Sequence, residues 1–169
     1  MNTIFYVLFL LILLTAPFLL FLYKYYTIEK NAEEVIALLP VDIDAKFTNV
    51  RIWFKGYDML KRVNKYSIDT SKSLYSYNLA DLYVFNGGIV IVGKIKAYGR
   101  MRLLSPFAIC WPGGETQLSM VPYRNSYISA EASGQDVNIK FQDMEYTNSI
   151  VLAVKNIGTE LYDKVRGKV

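Results

Sequence analysis

The stretch LADLYVFNGGIVIV, residues 79–92, contains two apolar runs on either side of Asn86-Gly87. An Asn-Gly pair between apolar runs is a strong hairpin signal, because both residues accept the positive φ angles of a primed turn. The stretch therefore predicts two antiparallel strands. The 14 Tyr and 9 Phe of the 169-residue chain, together with many Ile and Val, favour strands over helices elsewhere as well.

Further strands are predicted on both sides of this hairpin. They cover residues 47–54 and 103–111, a second hairpin at 127–132 and 137–141, and a last strand at 149–154. A short helix is predicted to follow, with Asn156 or Thr159 as its cap. Ile157, Leu161 and Val165 recur every four residues, so this helix is expected to bury one face against the strands.

The N-terminal region has a different texture. Residues 4–22, IFYVLFLLILLTAPFLLFL, are nineteen positions without a charge. As a helix they would measure ~28 Å, close to the ~30 Å hydrocarbon core of a bilayer. The run predicts a single transmembrane anchor. A cleaved signal peptide and a buried core helix are the alternatives, although no basic residue precedes the run and no small-x-small cleavage site follows it.

A second helical segment follows the anchor. Asn31 and Glu34 have the spacing of a capping box, and Pro40 ends the apolar pattern. This juxtamembrane helix is either continuous with the anchor or broken near Thr27. The predicted organisation is an anchor at 1–23, a juxtamembrane helix and linker at 24–45, and a strand-rich domain with a C-terminal helix at 46–169.

Positive charges give an orientation. Lys24 and Lys30 follow the apolar run, whereas no Lys or Arg precedes it. The positive-inside rule therefore predicts a single-pass cell-membrane protein with its N-terminus outside and its C-terminal domain in the cytoplasm. An extracytoplasmic domain of an envelope or immunity-type protein is the alternative. The one cysteine, Cys110, cannot form an internal disulfide and gives no sign of an oxidising compartment.

The charge of the chain is unevenly distributed. Residues 24–45 contain two basic and five acidic side chains, a net charge of −3, whereas residues 46–169 contain seventeen basic and ten acidic side chains, a net charge of +7. A basic domain held beside a membrane is attracted to an anionic leaflet, to nucleic acid or to an acidic partner. The tether makes the leaflet the most accessible of these.

Two segments carry a resemblance to a known fold. The hairpin LYVFNGGIVIVGK and the terminal strand-to-helix unit SIVLAVKNIGTELYDKV resemble the bacterial membrane-associated domains with a pleckstrin-homology-like (PH-like) fold, over about residues 79–166. The resemblance implies a bent β-barrel or sandwich closed by a C-terminal helix. It also implies binding of acidic headgroups by basic residues near the first hairpins, without assigning any residue to that role.

Catalytic chemistry lacks its usual residues. The chain has no histidine and one cysteine, which excludes His-based triads, His metal ligands and Cys clusters. Cys110 is predicted to be a buried apolar residue, and Asp143 and Glu145 to be solvated surface carboxylates. The glycine pairs at 87–88 and 113–114 lack the pattern of a phosphate-binding loop. No enzyme, cofactor or metal site is predicted.

A basic stripe is the main candidate site. Residues 94–102 alternate, so a continuous strand would place five side chains on one face: Lys94, Lys96, Tyr98, Arg100 and Arg102. This face is either an ordinary solvated strand surface or a binding surface for anionic lipid headgroups. A second basic cluster is predicted to be a solvated helix or loop and comprises Lys55, Lys61, Arg62 and Lys65.

These observations favour a non-catalytic, membrane-anchored scaffold or interaction module that contacts anionic lipid through the stripe. The alternative with the same topology is a subunit or adaptor of a larger membrane complex, in which an exposed sheet edge or groove binds a membrane protein partner. An enzyme with an unrecognised carboxylate site is a further alternative. Nucleic acid is disfavoured, because no reading helix and no aromatic RNA-binding motif is present.

Overall fold

The computed structural model describes residues 2–56, 77–97, 99–143 and 149–168. Helix α1 (Asn2–Ala37) is followed by eight strands: β1 (Ala45–Lys55), β2 (Leu79–Phe85), β3 (Gly88–Ala97), β4 (Arg100–Leu103), β5 (Phe107–Cys110), β6 (Tyr123–Ser133), β7 (Asp136–Gln142) and β8 (Ser149–Lys155). Helix α2 (Gly158–Val165) ends the described chain. The predicted mainly β domain between an apolar N-terminal helix and a C-terminal helix is confirmed.

Seven of the strands close into a barrel. The order is β2-β1-β8-β7-β6-β5-β3, and β2 also pairs with β3, so the first and last strands meet. Strand β4 pairs with β3 and extends the sheet beyond the barrel. Strands β5 and β6 run parallel, whereas the other described neighbours are antiparallel.

The β2–β3 hairpin forms as predicted, but its turn differs from the predicted type. Phe85 pairs with Gly88 across the two-residue loop. Neither Asn86 nor Gly87 has a positive φ, whereas Gly88 has a φ of +155°. A Cβ at Gly88 would lie 2.9 Å from the Cα of Cys110, so close approach of β5 explains the glycine there.

Two apolar clusters hold the barrel wall. The inner core fills the barrel and takes alternate residues from every long strand, including Ile52, Leu82, Ile91, Ile139 and Leu152. The outer core lies on the opposite face of β2, β3 and β5 and consists of Tyr83, Phe85, Val90, Val92, Ala108, Cys110, Leu118 and Val121. Because β2 and β3 are buried on both faces, they appear in sequence as nearly continuous apolar runs.

Helix α1 continues without a break from the apolar run onto the barrel. Ile28 and Ala32 are buried, and Val35, Ile36 and Leu39 pack against the outer core. Of the two predicted alternatives, the continuous helix is confirmed and the break near Thr27 is wrong; the cap predicted at Asn31 is also wrong, since Asn31 lies inside α1. Contacts with the barrel stabilise the helical turns beyond Thr27. The helix therefore continues there, and no second helix with its own N-cap begins.

Two other local predictions need correction. The strand predicted at 103–111 is divided, because β4 ends at Leu103 and β5 begins at Phe107. Pro106 lies in the break and lacks the N–H that a sheet interior requires. Helix α2 buries Leu161 and Val165 in the inner core as predicted, but its cap residue is Ile157, which makes no side-chain capping bond.

Candidate interaction surface

The predicted basic stripe is folded back on itself. Residues 94–102 do not form one strand, because β3 ends at Ala97 and β4 returns from Arg100. In this hairpin Lys94 pairs with Leu103 and Lys96 with Met101, whereas Arg102 pairs with Ile95. Since directly opposed residues share a face, the lysines lie on one face and the arginines on the other. The prediction of a single basic face is therefore wrong, and Tyr98 lies outside the described residues.

Lys94 is bound inside a polar cluster on β1, β2 and β3. Its Nζ lies 2.7 Å from Oδ1 of Asp81, and both side chains are largely buried. The same Nζ donates to Oδ1 of Asn49 at 3.0 Å. Asn49 occupies a bulge in β1 with a φ of +55°, and its backbone N–H donates to Oδ1 of Asp81 at 2.8 Å. Lys94 therefore holds the bulge in place and is not available to a lipid headgroup.

Arg100 and Arg102 bind the helix α1. Both guanidinium groups lie 3.0 Å from Oε2 of Glu29. Arg102 and Glu29 are 11% and 15% exposed, whereas Arg100 is 60% exposed. The β3–β4 hairpin is therefore ion-paired with α1 at Glu29, in the part of the helix that packs on the barrel. We call this ion-paired group the helix clamp.

Lys96 is the remaining basic residue of the stripe. It is exposed and has no ion pair with a described residue. The four basic side chains of the stripe therefore have different surroundings. Lys94 is bound at the bulge of β1, Arg100 and Arg102 bind Glu29, and Lys96 is exposed to solvent.

A different basic surface lies on β1. Arg51, Trp53 and Lys55 alternate with the inward-facing Ile52 and point away from the barrel. Trp53 is 61% exposed, an unusual degree for the largest apolar side chain. The signal for this surface is the alternation in the sequence RIWFK, residues 51–55, which places Arg51, Trp53 and Lys55 on one face of a strand. Of the second predicted basic cluster, Lys55 belongs to this surface, and Lys61, Arg62 and Lys65 lie outside the described residues.

Neighbouring strands enlarge this surface. Arg51 pairs with Lys155 of β8, and Val151 of β8 pairs with both Lys55 and Lys140. Asp136 binds Lys155 through its carboxylate and accepts the N–H of Asn156 at 3.1 Å. These two hydrogen bonds lower the pKa of Asp136. We define the basic face as Lys46, Arg51, Trp53, Lys55, Lys140 and Lys155.

A cleft opens at one end of the basic face. Its volume is about 530 Å³, and it lies between residues 46–51 of β1 and the β8–α2 connection at Lys155, Asn156 and Ile157. Strand β8 pairs with β1 only over Arg51–Lys55. Within the described chain, residues 45–50 therefore have β2 as their one strand neighbour, and the other edge borders the cleft.

The described residues contain no cluster of three or more His, Cys, Asp or Glu side chains able to hold a metal ion. Asp143 is buried, so the prediction of a solvated carboxylate is wrong for that residue, and Glu145 lies outside the described residues. The glycine pairs also have a structural explanation, because Gly114 packs directly on the backbone of Gly87.

Cys110 is buried in the outer core, as predicted. Burial raises the pKa of its thiol to about 11, and Glu115 adds to the increase. Because the thiolate is the reactive form, a rise of two pKa units lowers its population about 100-fold near neutral pH. We expect the native protein to react with Ellman's reagent at least about 100-fold more slowly than the urea-unfolded protein. Equal rates, followed by absorbance at pH 8, would contradict this burial.

The comparisons with protein-family models, with curated proteins and with solved structures each gave no match. The proposals below therefore rest on the geometry and charge of this chain.

Proposed function

We propose that this chain is a single-pass membrane protein whose barrel is a non-catalytic interaction module. In this proposal residues 4–22 cross the bilayer, and the barrel lies at the cytoplasmic surface. The observation that carries it is the continuous helix α1, whose first half is exposed and apolar and whose second half is docked on the barrel. A bilayer would bury the exposed apolar half, and the barrel buries the docked half.

The first half of α1 has the properties of an anchor. The helix is long and apolar enough to cross a membrane, and none of its most apolar window is buried. Phe9, Leu14 and Leu20 are more than half exposed. A core helix would bury such side chains, because large exposed apolar surfaces are rare in soluble proteins. A signal sequence has the same length and composition, but cleavage after residue 22 would separate it from a helix that continues to Ala37.

The second half of α1 holds the helix in a fixed position on the barrel. It contributes apolar side chains to the outer core and Glu29 to the helix clamp. The closed barrel and the C-terminal helix are compatible with the PH-like resemblance, which we retain as a proposal, although the parallel β5–β6 pair interrupts a simple meander. Lys24 and Lys30 favour the cytoplasmic side for the barrel.

Between lipid and protein as the bound partner, the ion pairs favour protein. Contact with anionic lipid through the predicted stripe would have to use side chains that already bind Asp81 and Glu29. Lys96 and the exposed Arg100 remain, and each basic residue near an anionic leaflet contributes about 1 kcal/mol. A subunit or adaptor role leaves these ion pairs intact and uses the basic face, which carries the exposed Trp53.

Membrane integration tests the first part of the proposal. We expect the full chain to stay in the pellet after alkaline carbonate extraction, and a chain without residues 4–22 to be released. Extraction of the full chain, or loss of residues 4–22 by cleavage in cells, would contradict the anchor. A reporter fused to the C-terminus checks orientation, and activity of a periplasm-specific reporter would favour the extracytoplasmic alternative.

Partner capture tests the second part. A photo-crosslinking residue at Trp53 is expected to capture one membrane-associated protein in a stoichiometric complex, whereas the same residue at the exposed Glu33 of α1 is not. Crosslinks to lipid alone at both positions would overturn the adaptor role.

A further inference from the structure

Among the described residues, no strand continues beside residues 45–50 of β1 on the side of the cleft, because the chain turns away at the end of β8. Asn156 has a φ of +53° and turns the chain away at the end of β8. The N–H groups of Ile157 and Gly158 both donate to the carbonyl of Gln135, at 3.0 and 3.1 Å. Asp136 also accepts hydrogen bonds from Lys155 and from the N–H of Asn156. Together these contacts direct the chain into α2 instead of along β1. Residues 45–50 of β1 thus border a space about 530 Å³ in volume.

Basic side chains surround this edge. Lys46, Arg51 and Lys155 line the cleft, and Lys55 and Lys140 extend the charge along the basic face. Among the described residues, strand pairing and sequence place three acidic side chains near this edge: Asp136, which is bound to Lys155, the exposed Asp44, which precedes the strand, and the exposed Glu131 of β6. The surface around the edge therefore has a positive charge even after its one ion pair is counted.

A second copy of this chain is a poor occupant for the edge. Two such edges would bring Lys46 and Arg51 close to their counterparts, and like charges on paired strands are destabilising. The same charges attract a strand whose side chains are acidic.

We propose that the open edge of β1 binds a short, extended, acidic segment of a partner protein by strand addition. The backbone of the segment would bond to residues 45–50, and its carboxylates would meet Lys46, Arg51 and Lys155 on the face that also carries Trp53. This inference rests on the proposed function and names the class of partner. The basic face belongs to β1, β7 and β8, whereas α1 packs on the outer core of β2, β3 and β5, and the two meet at Lys46, whose Nζ lies 5.1 Å from the ring centroid of Tyr83.

Trp53 provides the readout. The chain has two tryptophans, and Trp111 is 3% exposed, so added ligands change mainly the emission of Trp53. The full chain in detergent micelles is titrated with a ten-residue peptide of alternating Glu and Thr. We expect a saturable change in emission that weakens at about 0.5 M salt, where charges are strongly screened. The double variant Lys46→Gln/Arg51→Gln should bind about tenfold more weakly.

Two controls separate strand addition from simple charge attraction. The double variant Lys96→Gln/Lys164→Gln removes the same charge from exposed positions elsewhere and should bind the peptide like the unmodified chain. A peptide of alternating Glu and Pro keeps the carboxylates but lacks half of the backbone donors, and it should bind at least about tenfold more weakly.

Three results would overturn the inference: no change in emission, equal binding of the proline peptide, or stronger binding of a single-stranded oligonucleotide or of anionic vesicles. Each of them leaves the carbonate extraction result untouched. Failure of this inference is therefore distinguishable from failure of the proposed anchor.

Discussion

Glu29→Gln is expected to destabilise the barrel by about 2–4 kcal/mol, because it leaves the largely buried guanidinium of Arg102 without its carboxylate. The value lies below that of a fully buried pair because Arg100, the other partner, is mostly exposed and can be hydrated. The free energy of unfolding is measured by urea titration in micelles, with the emission of the buried Trp111 as the probe in a Trp53→Phe background.

Glu33→Gln is the matched control. Glu33 lies one helical turn further along α1, and its side chain is exposed. The control should change the free energy of unfolding by less than about 0.5 kcal/mol. The double variant Glu29→Gln/Arg102→Gln should be less destabilised than the sum of its single variants, because both members of the ion pair are removed together. A Glu29→Gln variant as stable as Glu33→Gln would show that the helix clamp contributes nothing.

Gly114→Ala is expected to cost at least about 3 kcal/mol, because the new methyl group has no space. A Cβ at this position would overlap the carbonyl oxygen of Gly87 and lie 2.7 Å from its Cα. Both neighbours are backbone atoms of the β2–β3 turn, so no side chain can rotate to relieve the overlap. The N–H of Trp111 donates to Gly87 at 3.0 Å, and the N–H of Gly114 donates to Trp111 at 2.9 Å, so the turn cannot simply move away.

Gly113→Ala separates this overlap from backbone strain. Gly113 has a φ of +77°, and a Cβ there would meet nothing within 4 Å. Alanine should therefore cost about 1–2 kcal/mol, the penalty of a left-handed residue without a steric overlap. Unfolding of both variants is compared by the same urea titration. Equal losses would contradict the overlap, because Gly114 has no positive φ and its loss is expected to exceed the cost of strain alone.

Local signals predicted the local parts of the fold. Alternation and turn residues located the β2–β3 and β6–β7 hairpins, and four-residue spacing located the buried face of α2. The positive φ expected at Asn86 and Gly87 is absent, because the approach of β5 and the contact with Gly114 also determine the turn.

Contacts between residues far apart in the sequence could not be predicted from local patterns. The parallel β5–β6 pair, the β1–β8 pair within the barrel, and docking of α1 depend on contacts between distant residues. The alternation of residues 94–102 holds within β3 and within β4, but it gives no sign that the two strands are antiparallel. The ion pairs to Asp81 and Glu29 join residues 13 and 71–73 positions apart, beyond the reach of any local pattern. The basic face was recognisable in part, since RIWFK alternates basic and aromatic residues outward, whereas Lys140 and Lys155 join it only through strand pairing.

The helix clamp limits how a partner protein can approach the barrel. Glu29 lies seven residues beyond Leu22, about 10 Å along the helix axis. In the proposed topology the barrel therefore travels with its anchor as one body, at a fixed height above the bilayer. Its encounters are confined to lateral diffusion in two dimensions, and only partners that present their acidic segment at that height can reach the edge of β1. Lengthening the helix between Leu22 and Glu29 would raise the whole barrel and rotate it about the helix axis, which changes the direction in which the binding edge faces.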